Sequence, residues 1–372
     1  MKKTLWKVAI IGCGSFTGGQ YLPDIGKVCN AQLVATCDIL PERAREYAQR
    51  AGIDQWYSSI DDLLEKCDFD ILMNATSIPA HHEINMKAPR AGKHVFTQKP
   101  AAATVEEVTQ QMELAQQMGL KINAAPVHAM RHSNRKARQM IRDNVIGKVT
   151  TIRCQVAHGG PEYFQYRDVN PIWFYEPGSG ALYDMGVHGL HYVTDILGPA
   201  RAVGCMAACS LPQRMIRTGK FDGEIIRTDC MPDNYIITLD FGDGAIGEVY
   251  TGFCQRATRM PTMEVYGEMG TIAFVRDPQE ARPHLEVYYD HPEAGITGWM
   301  RPLDRQERET FYCDTFCLQD LIDAIEQDKN PVLSMARHRH IVEIMNTIPR
   351  CIETGCIQPL STTFSEEDTD RG

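Results

Sequence analysis

Lys99 and the segment Gly180–His191 hold the side chains whose types and spacing best fit proton chemistry. Asp184, His188 and His191 recur at i, i+4 and i+7, a spacing that projects all three from one face of an α-helix. A carboxylate beside an imidazole orients it and stabilises its protonated form, as a general base working near neutral pH requires. The same three residues could instead form a satisfied buried polar cluster, or hold a metal. The His-x-x-His spacing differs from the His-Glu-x-x-His of zinc peptidases, so no metal is expected. Lys99 follows Gln98 at the end of the apolar run around Val95 and Phe96, just before Pro100. A lysine at a strand end facing a cofactor crevice can hydrogen-bond a substrate hydroxyl. Taking hydride from an alcohol requires a C–H close to the acceptor, a group for the hydroxyl proton and support for the developing alkoxide.

The hydride acceptor is expected at the other end of the chain. Gly12-Cys13-Gly14-Ser15-Phe16-Thr17-Gly18 follows the apolar run Val8–Ile11 and opens a helical pattern. Gly12 permits the tight turn, Gly14 lets backbone approach a pyrophosphate, and the helix N-terminus offers unpaired N–H groups to that anion. Gly12, Gly14, Ser15, Phe16 and Thr17 are the expected contacts. Thr17 stands where a third glycine is usual, and Gly18 and Gly19 follow, as in a loop one residue longer. Asp38 ends the second apolar run, Leu33–Cys37, where a carboxylate accepts hydrogen bonds from ribose hydroxyls and repels a 2′-phosphate. NAD is therefore favoured over NADP, unless Asp38 is a helix N-cap. Thr76 and Ser77 lie just past a strand end, where they can contact cofactor or serve only as loop caps.

The elements that position these residues divide the chain. Through about residue 126, apolar runs alternate with helical patterns, the mark of βαβ units and a parallel sheet. Pro41 opens one helix at its first position, and Thr104 with Glu107 forms a capping box for another. From 127 to 358 the pattern is α+β. A helix near Asn134–Asp143 precedes a strand Val149–Ala157 whose period-2 alternation marks a half-covered sheet. A helix near Ala181–Leu197 precedes strands at Tyr235–Phe241, Ala245–Tyr250, Thr262–Tyr266, Ile272–Val275 and Leu285–Tyr289. Asp243-Gly244 reads as a hairpin turn. Helices near Glu307–Gln327 and Ser334–Ile352 close this part, and 359–372 reads as a polar tail. The loop from His158 to Tyr175 is rich in aromatics. His158, Trp173 and Tyr175 could stack on a sugar ring, or simply pack a long connection.

Composition narrows the class. The chain has 372 residues, 43% hydrophobic and 23% charged, which suits a globular protein of two domains. A net charge of −10 argues against nucleic acid as partner. The basic run Arg337-His338-Arg339-His340 reads as a solvated helix face. Thirteen cysteines, an odd number without a Cys-x-x-Cys, read as free thiols in a reducing cytoplasm. The four-residue spacings Cys205/Cys209 and Cys313/Cys317 suit neighbours on a helix face. Lys7 interrupts the short N-terminal apolar stretch, so a signal peptide is not expected, and no stretch is long enough to span a bilayer.

In order along the chain, the glycine loop, Cys37-Asp38 with Glu42-Arg43-Ala44, Ala75-Thr76 leading to His81, Gly92-Lys93-His94-Val95 running into Lys99-Pro100, Ile146-Gly147-Lys148-Val149 and Gly180 through His188 resemble the Gfo/Idh/MocA family. The resemblance extends to about residue 355. It implies a Rossmann doubly wound parallel sheet followed by an α+β domain with a large, open, mostly antiparallel sheet. It further implies an NAD-dependent oxidoreductase of sugars, cyclitols or glycosides, assembled as a homo-dimer or homo-tetramer through that sheet. By the same resemblance Lys99, Asp184 and His188 are catalytic, and His81, Gln98 and Lys99 join the cofactor contacts. Lys99, His158, Trp173, Tyr175, Asp184, His188 and His191 would meet substrate. Two positions depart from the pattern. Gln98 replaces the usual glutamate and removes a charge beside Lys99, and His191 stands where an acid is frequent. Two other functions fit the same residues: glycoside cleavage by transient ring oxidation and elimination, with His191 as the additional acid/base, and a non-catalytic NAD(H)-binding regulator.

Overall fold

The computed structural model describes residues 5–164, 170–176, 178–217, 219–228, 231–276, 284–302 and 313–365. The chain forms two compact units. Met1–Val127, Phe311–Val342 and Phe364–Gly372 make the first, and His128–Thr310 with Glu343–Thr363 the second.

In the first unit β1 (Trp6–Ile11) leads through the glycine loop into a π-helical turn, Thr17–Tyr21, and the short α1 (Leu22–Asp24). There follow β2 (Ala31–Cys37), α2 (Pro41–Ala51), β3 (Gln55–Tyr57), α3 (Ile60–Lys66), β4 (Ile71–Asn74), α4 (Ile78–Arg90), β5 (His94–Thr97), α5 (Val105–Gln117) and β6 (Ile122–Ala124). The strands pair in parallel in the order β3-β2-β1-β4-β5-β6, the Rossmann arrangement. Val8, Ala9, Ile10, Ile71, Leu72 and Met73 are buried, as unbroken apolar runs in a sheet covered on both faces must be. Local signals set the helix ends. Pro41 opens α2 and Gly52, at φ +67°, closes it. The Thr104 hydroxyl accepts the Glu107 N–H at 3.2 Å while Glu107 accepts the Thr104 N–H at 3.2 Å.

The second unit contains α6 (His132–Arg142), β7 (Val149–Ala157), a second π-helical turn at Leu182–Gly186 and α7 (Val187–Leu197). Its further strands are β8 (Ala202–Ala208), the ribbon β9 (Gln213–Met215) and β10 (Ile225–Arg227), then β11 (Asn234–Gly242), β12 (Ala245–Gly252), β13 (Met263–Gly267), β14 (Gly270–Val275), β15 (His284–His291) and β16 (Ile296–Met300). α8 (Cys317–Glu326) returns the chain to the first unit, and the boundary falls inside α9 (Met335–Thr354). With β17 (Gln358–Pro359) the large sheet runs β16-β15-β14-β13-β7-β12-β11-β8-β17. Its described pairs are antiparallel except β7 with β12. In β11 Tyr235, Ile237 and Leu239 are buried while Ile236 faces out opposite Met206, the expected period-2 pattern. α7 covers the inner face so closely that a Cβ on Gly189 would lie 2.6 Å from Val249 Cγ1. Asp243 and Gly244, at φ +51° and +85°, make the β11–β12 turn.

Four expectations are corrected. Cys205 lies in a strand, not on a helix face, and its thiol is pushed up to about 12, first by burial and then by Cys351. Arg337, His338 and His340 are buried; the run is helical but turns three of its four side chains inward. Arg337 lies 4.9 Å from the Phe364 ring. The chain end is anchored rather than a free tail as far as Ser365. β17 pairs with β8, Glu343 accepts the N–H groups of Ser361 and Thr362 at 2.7 and 2.8 Å, and Phe364 is buried. Finally, the penultimate helix begins at Cys317 after a 3-10 turn at Asp314–Phe316. The expected helical residues 307–312, the loop residues 165–169 and the tail residues 366–372 lie outside the described residues. No described helix is long and apolar enough to cross a membrane.

Candidate active site

The candidate cofactor residues of the first unit line the C-terminal edge of its parallel sheet. The glycine loop leaves β1, Asp38 follows β2, Thr76 and Ser77 follow β4, and Gln98 and Lys99 follow β5. Gly12, at φ +97°, is required: a Cβ there would lie 2.6 Å from the carbonyl carbon and oxygen of Ala75. Over Gly14 nothing stands within 4 Å of the Cβ position, so backbone is open to a ligand. The close helix contact belongs to Gly18, whose Cβ would meet the Tyr47 hydroxyl at 2.6 Å, while that hydroxyl donates to the Gly14 carbonyl at 2.8 Å. The π-helical turn accommodates the additional residue. It turns Thr17 inward, where its hydroxyl donates to the Gly12 carbonyl at 2.6 Å.

Asp38 is nearly buried and joins two loops. Oδ2 accepts the Cys13 N–H at 2.7 Å and Oδ1 the Leu40 N–H at 2.9 Å. The N-cap of α2 is Leu40, so Asp38 is not a cap. The Cys13 thiol is pushed up to about 12, first by burial and then by the Asp38 carboxylate. Asn74 Oδ1 accepts the Thr76 hydroxyl at 2.6 Å, and Ser77 stands at the N-cap of α4 without a side-chain capping bond. His81 is buried between two carbonyls, with Nδ1 2.8 Å from Pro100 O and Nε2 3.0 Å from Thr76 O. Burial lowers its pKa against the opposing pull of those carbonyls. Gln98 donates from Nε2 to the buried Tyr21 hydroxyl, and its Oε1 accepts the Lys99 N–H at 2.9 Å. The replacement of glutamate thus leaves an amide clamped on both sides at the base of the lysine, and the Lys99–Pro100 peptide is cis. Open backbone at Gly14, beside a helix that starts at Ser15, suits phosphates, and Asp38 at the end of β2 suits ribose hydroxyls. These residues fit a dinucleotide.

The second unit holds an imidazole–carboxylate pair and an imidazole–imidazole pair. His158, just past β7, accepts the Gly160 N–H on Nδ1 at 3.0 Å, so its ring proton sits on Nε2. That nitrogen faces Asp184 Oδ2 at 3.9 Å, and the ring stacks on Phe253 with centroids 4.9 Å apart. His188 has a different neighbour: its Nδ1 lies 3.0 Å from His128 Nε2. His128 stacks on Tyr192 at 4.0 Å and 15°, and the Tyr192 hydroxyl accepts Arg131 Nη1 at 3.0 Å. Asp184 sits in the π-helical turn, whose wider winding departs from the α-helical spacing that the i, i+4, i+7 argument assumes. Among the described residues no group of three or more His, Cys, Asp and Glu is arranged to hold a metal ion.

The remaining candidates separate by exposure. His191 is 3% exposed, within the core side of α7. Tyr175 is 4% exposed; its hydroxyl donates to Glu162, which pairs with buried Arg214 at 2.7 Å, and Arg214 in turn pairs with Asp233 at 2.6 Å. These bonds pack Tyr175 into the connection. Trp173 is 36% exposed and stacks on Phe174 at 3.8 Å. His128 carries no mark in the sequence. It stands two residues past Pro126, in a 3-10 turn too short to show a period.

Residues 6–125 match the family model described as an oxidoreductase family with an NAD-binding Rossmann fold. Residues 134–273 match the GFO/IDH/MocA C-terminal domain. The chain belongs to the Gfo/Idh/MocA family. D-xylose dehydrogenase of Paenarthrobacter nicotinovorans is 26% identical over 226 residues, 60% of this chain and 58% of that protein. Levoglucosan dehydrogenase of Pseudarthrobacter phenanthrenivorans is 26% identical over 281 residues, 70% of this chain and 68% of that one. An NAD-binding oxidoreductase from Klebsiella pneumoniae superposes with a TM-score of 0.81 at 20% identity, over 96% of this chain and all of that one. Like other members of Gfo/Idh/MocA, this chain is an NAD-binding oxidoreductase.

Proposed function

We propose that this protein transfers hydride between NAD and a secondary hydroxyl of a sugar, cyclitol or glycoside, with Lys99 and His188 handling the hydroxyl proton. The observation that supports it most is the alignment of Gly12–Thr17, Asp38, Thr76–Ser77 and Gln98–Lys99 along one edge of the parallel sheet. In such open α/β sheets ligands bind at that edge. Bound NAD supplies the hydride acceptor. The protein's own groups hold the alcohol and move its proton. Lys99, fixed at its base by Gln98, hydrogen-bonds the hydroxyl oxygen and favours negative charge there. His188 takes the proton on Nε2, because its Nδ1 is occupied by His128. Asp184 and His158, half-buried and paired, bind further hydroxyls, and Trp173 offers a ring face to a sugar. In this reading the Tyr175 hydroxyl is engaged by Glu162, and His191 is given no step.

Purified protein is tested with NAD against sugars, inositols and glycosides, following NADH absorbance and aglycone release together. Net NADH formation with at least one polyol is the expected result. Aglycone release without net NADH would replace this reading with redox-assisted glycoside cleavage. Lys99→Ala and His188→Ala should each lower turnover by about a hundredfold or more while NAD still binds. Unchanged rates in both variants would remove the assigned roles.

A further inference from the structure

We propose that His128 is a positioning residue that shares the substrate proton with His188, a deepening that rests on the reading of His188 as proton acceptor. Two imidazole nitrogens 3.0 Å apart can bond only if one carries a proton and the other a lone pair. When the proton sits on His188 Nδ1 and His128 Nε2 accepts it, His188 Nε2 is left with a lone pair, the state that takes a hydroxyl proton. When His128 Nε2 donates instead, His188 Nε2 carries the proton and can return it to a carbonyl oxygen. The position of one shared proton thus sets whether His188 acts as base or acid.

The step balances within the pair. The hydroxyl O–H breaks and a proton joins His188 Nε2, giving a singly charged imidazole pair. The Nδ1 proton moves toward His128 Nε2, spreading the charge over both rings. After the product leaves, the proton returns along the same bond and departs from His188 Nε2 to water. Two imidazoles accommodate that charge more readily than one in a partly desolvated setting.

The surroundings favour a fixed His128. Its ring lies flat on Tyr192, whose hydroxyl is held by Arg131. The turn carrying it is held from the neighbouring residue, since the Ala129 carbonyl accepts Arg138 Nη2 at 2.9 Å. Arg138 is itself neutralised by Asp195, which Asn134 also binds at 2.7 Å. Among the described residues, charged groups on the elements that carry the pair include Arg131, His132 and Arg135, together with the Arg138–Asp195 ion pair, and Asp184 in the π-helical turn faces His158.

The test compares His128→Phe, which keeps the ring stack, with His128→Gln, which keeps a hydrogen-bonding group at the Nε2 position but cannot carry the proton. Both are assayed as full-length protein with NAD and the best polyol of the panel. Expected in each is a kcat at least about tenfold lower, with KM and NAD affinity within about twofold, and a changed acidic limb of the kcat–pH profile. A His128→Gln enzyme with wild-type kcat across pH would overturn proton sharing. A second measurement needs no variant to fold. Nitrogen-15 shifts of the wild-type histidines should show two rings that share one neutral tautomer, both Nδ1–H or both Nε2–H, and whose titrations are linked. Rings that all titrate independently of one another would also defeat the proposal. His188→Ala separates the two levels: if it stays active the assignment of His188 fails, whereas an inactive His188→Ala beside a fully active His128→Gln removes His128 alone.

Discussion

Asp38 receives two backbone N–H groups, from Cys13 on the glycine loop and Leu40 before α2, so its carboxylate is oriented before any ligand arrives. A charge held at the end of β2 disfavours a phosphate on the neighbouring ribose position. Asp38→Asn keeps an acceptor oxygen while removing the charge. The preference for NAD over NADP, measured as the ratio of the two kcat/KM values, should fall by about tenfold. An unchanged ratio would show that another group sets the preference. At this scale the sequence told a great deal about unit one, because each candidate there is fixed by a strand end a few residues away. It told less about unit two. Asp184 and His188 look like one pair along the chain, but their imidazole neighbours, His158 and His128, come from segments 26 and 60 residues distant, and no local period reports such contacts.

The helix that follows the glycine loop and the segment around Asp184 each contain a π-helical turn, and each turn shifts side chains away from the α-helical pattern. This is why Thr17 rather than a glycine occupies the third position of the fingerprint, with Gly18 making the tight contact. Two substitutions in that loop should behave oppositely. Gly12→Ala places a methyl against the Ala75 backbone at positive φ and should lower stability by at least about 2 kcal/mol. Gly14→Ala meets open space, so thermal stability should stay close to wild type while NAD affinity drops, because the methyl occupies the approach to backbone. Denaturation midpoints and NAD titrations of the pair check both halves; equal stability loss in the two would contradict the assignment. The long helices and hairpins were legible from caps and turns, as at Thr104–Glu107 and Asp243–Gly244. The short strands β3, β9, β10 and β17 were not, since two or three residues cannot display a period.

For the molecule as a whole, the return of α8 and the start of α9 to the first unit has an energetic consequence. The basic run on α9 looked solvated from its charge, but tertiary packing places His338 in the core, bonded to the Ala124 backbone at the end of β6 and beside Arg337. Burial first, and then the Arg337 charge, hold its imidazole at about 3, below the usual value near 6.5. His81, also in this unit, is shifted in the same direction. Between pH 6.5 and 3 the unfolded chain therefore binds more protons at these sites than the folded one, so stability falls as pH falls through that window and is flat above it. One such group alone costs about 2 kcal/mol by pH 5. Carboxylates held below their ordinary values, such as Glu343 and Asp233, begin to matter only under about pH 4.5, so the range from 7.5 to 5 isolates the histidines. His338→Gln retains a donor for the Ala124 carbonyl without a titrating ring. Its urea midpoint should lie at or below wild type at pH 7.5 and gain on wild type as the pH is lowered to 5. Parallel pH dependences for the two proteins would place the acid sensitivity of this unit elsewhere, with His81 the next group to replace.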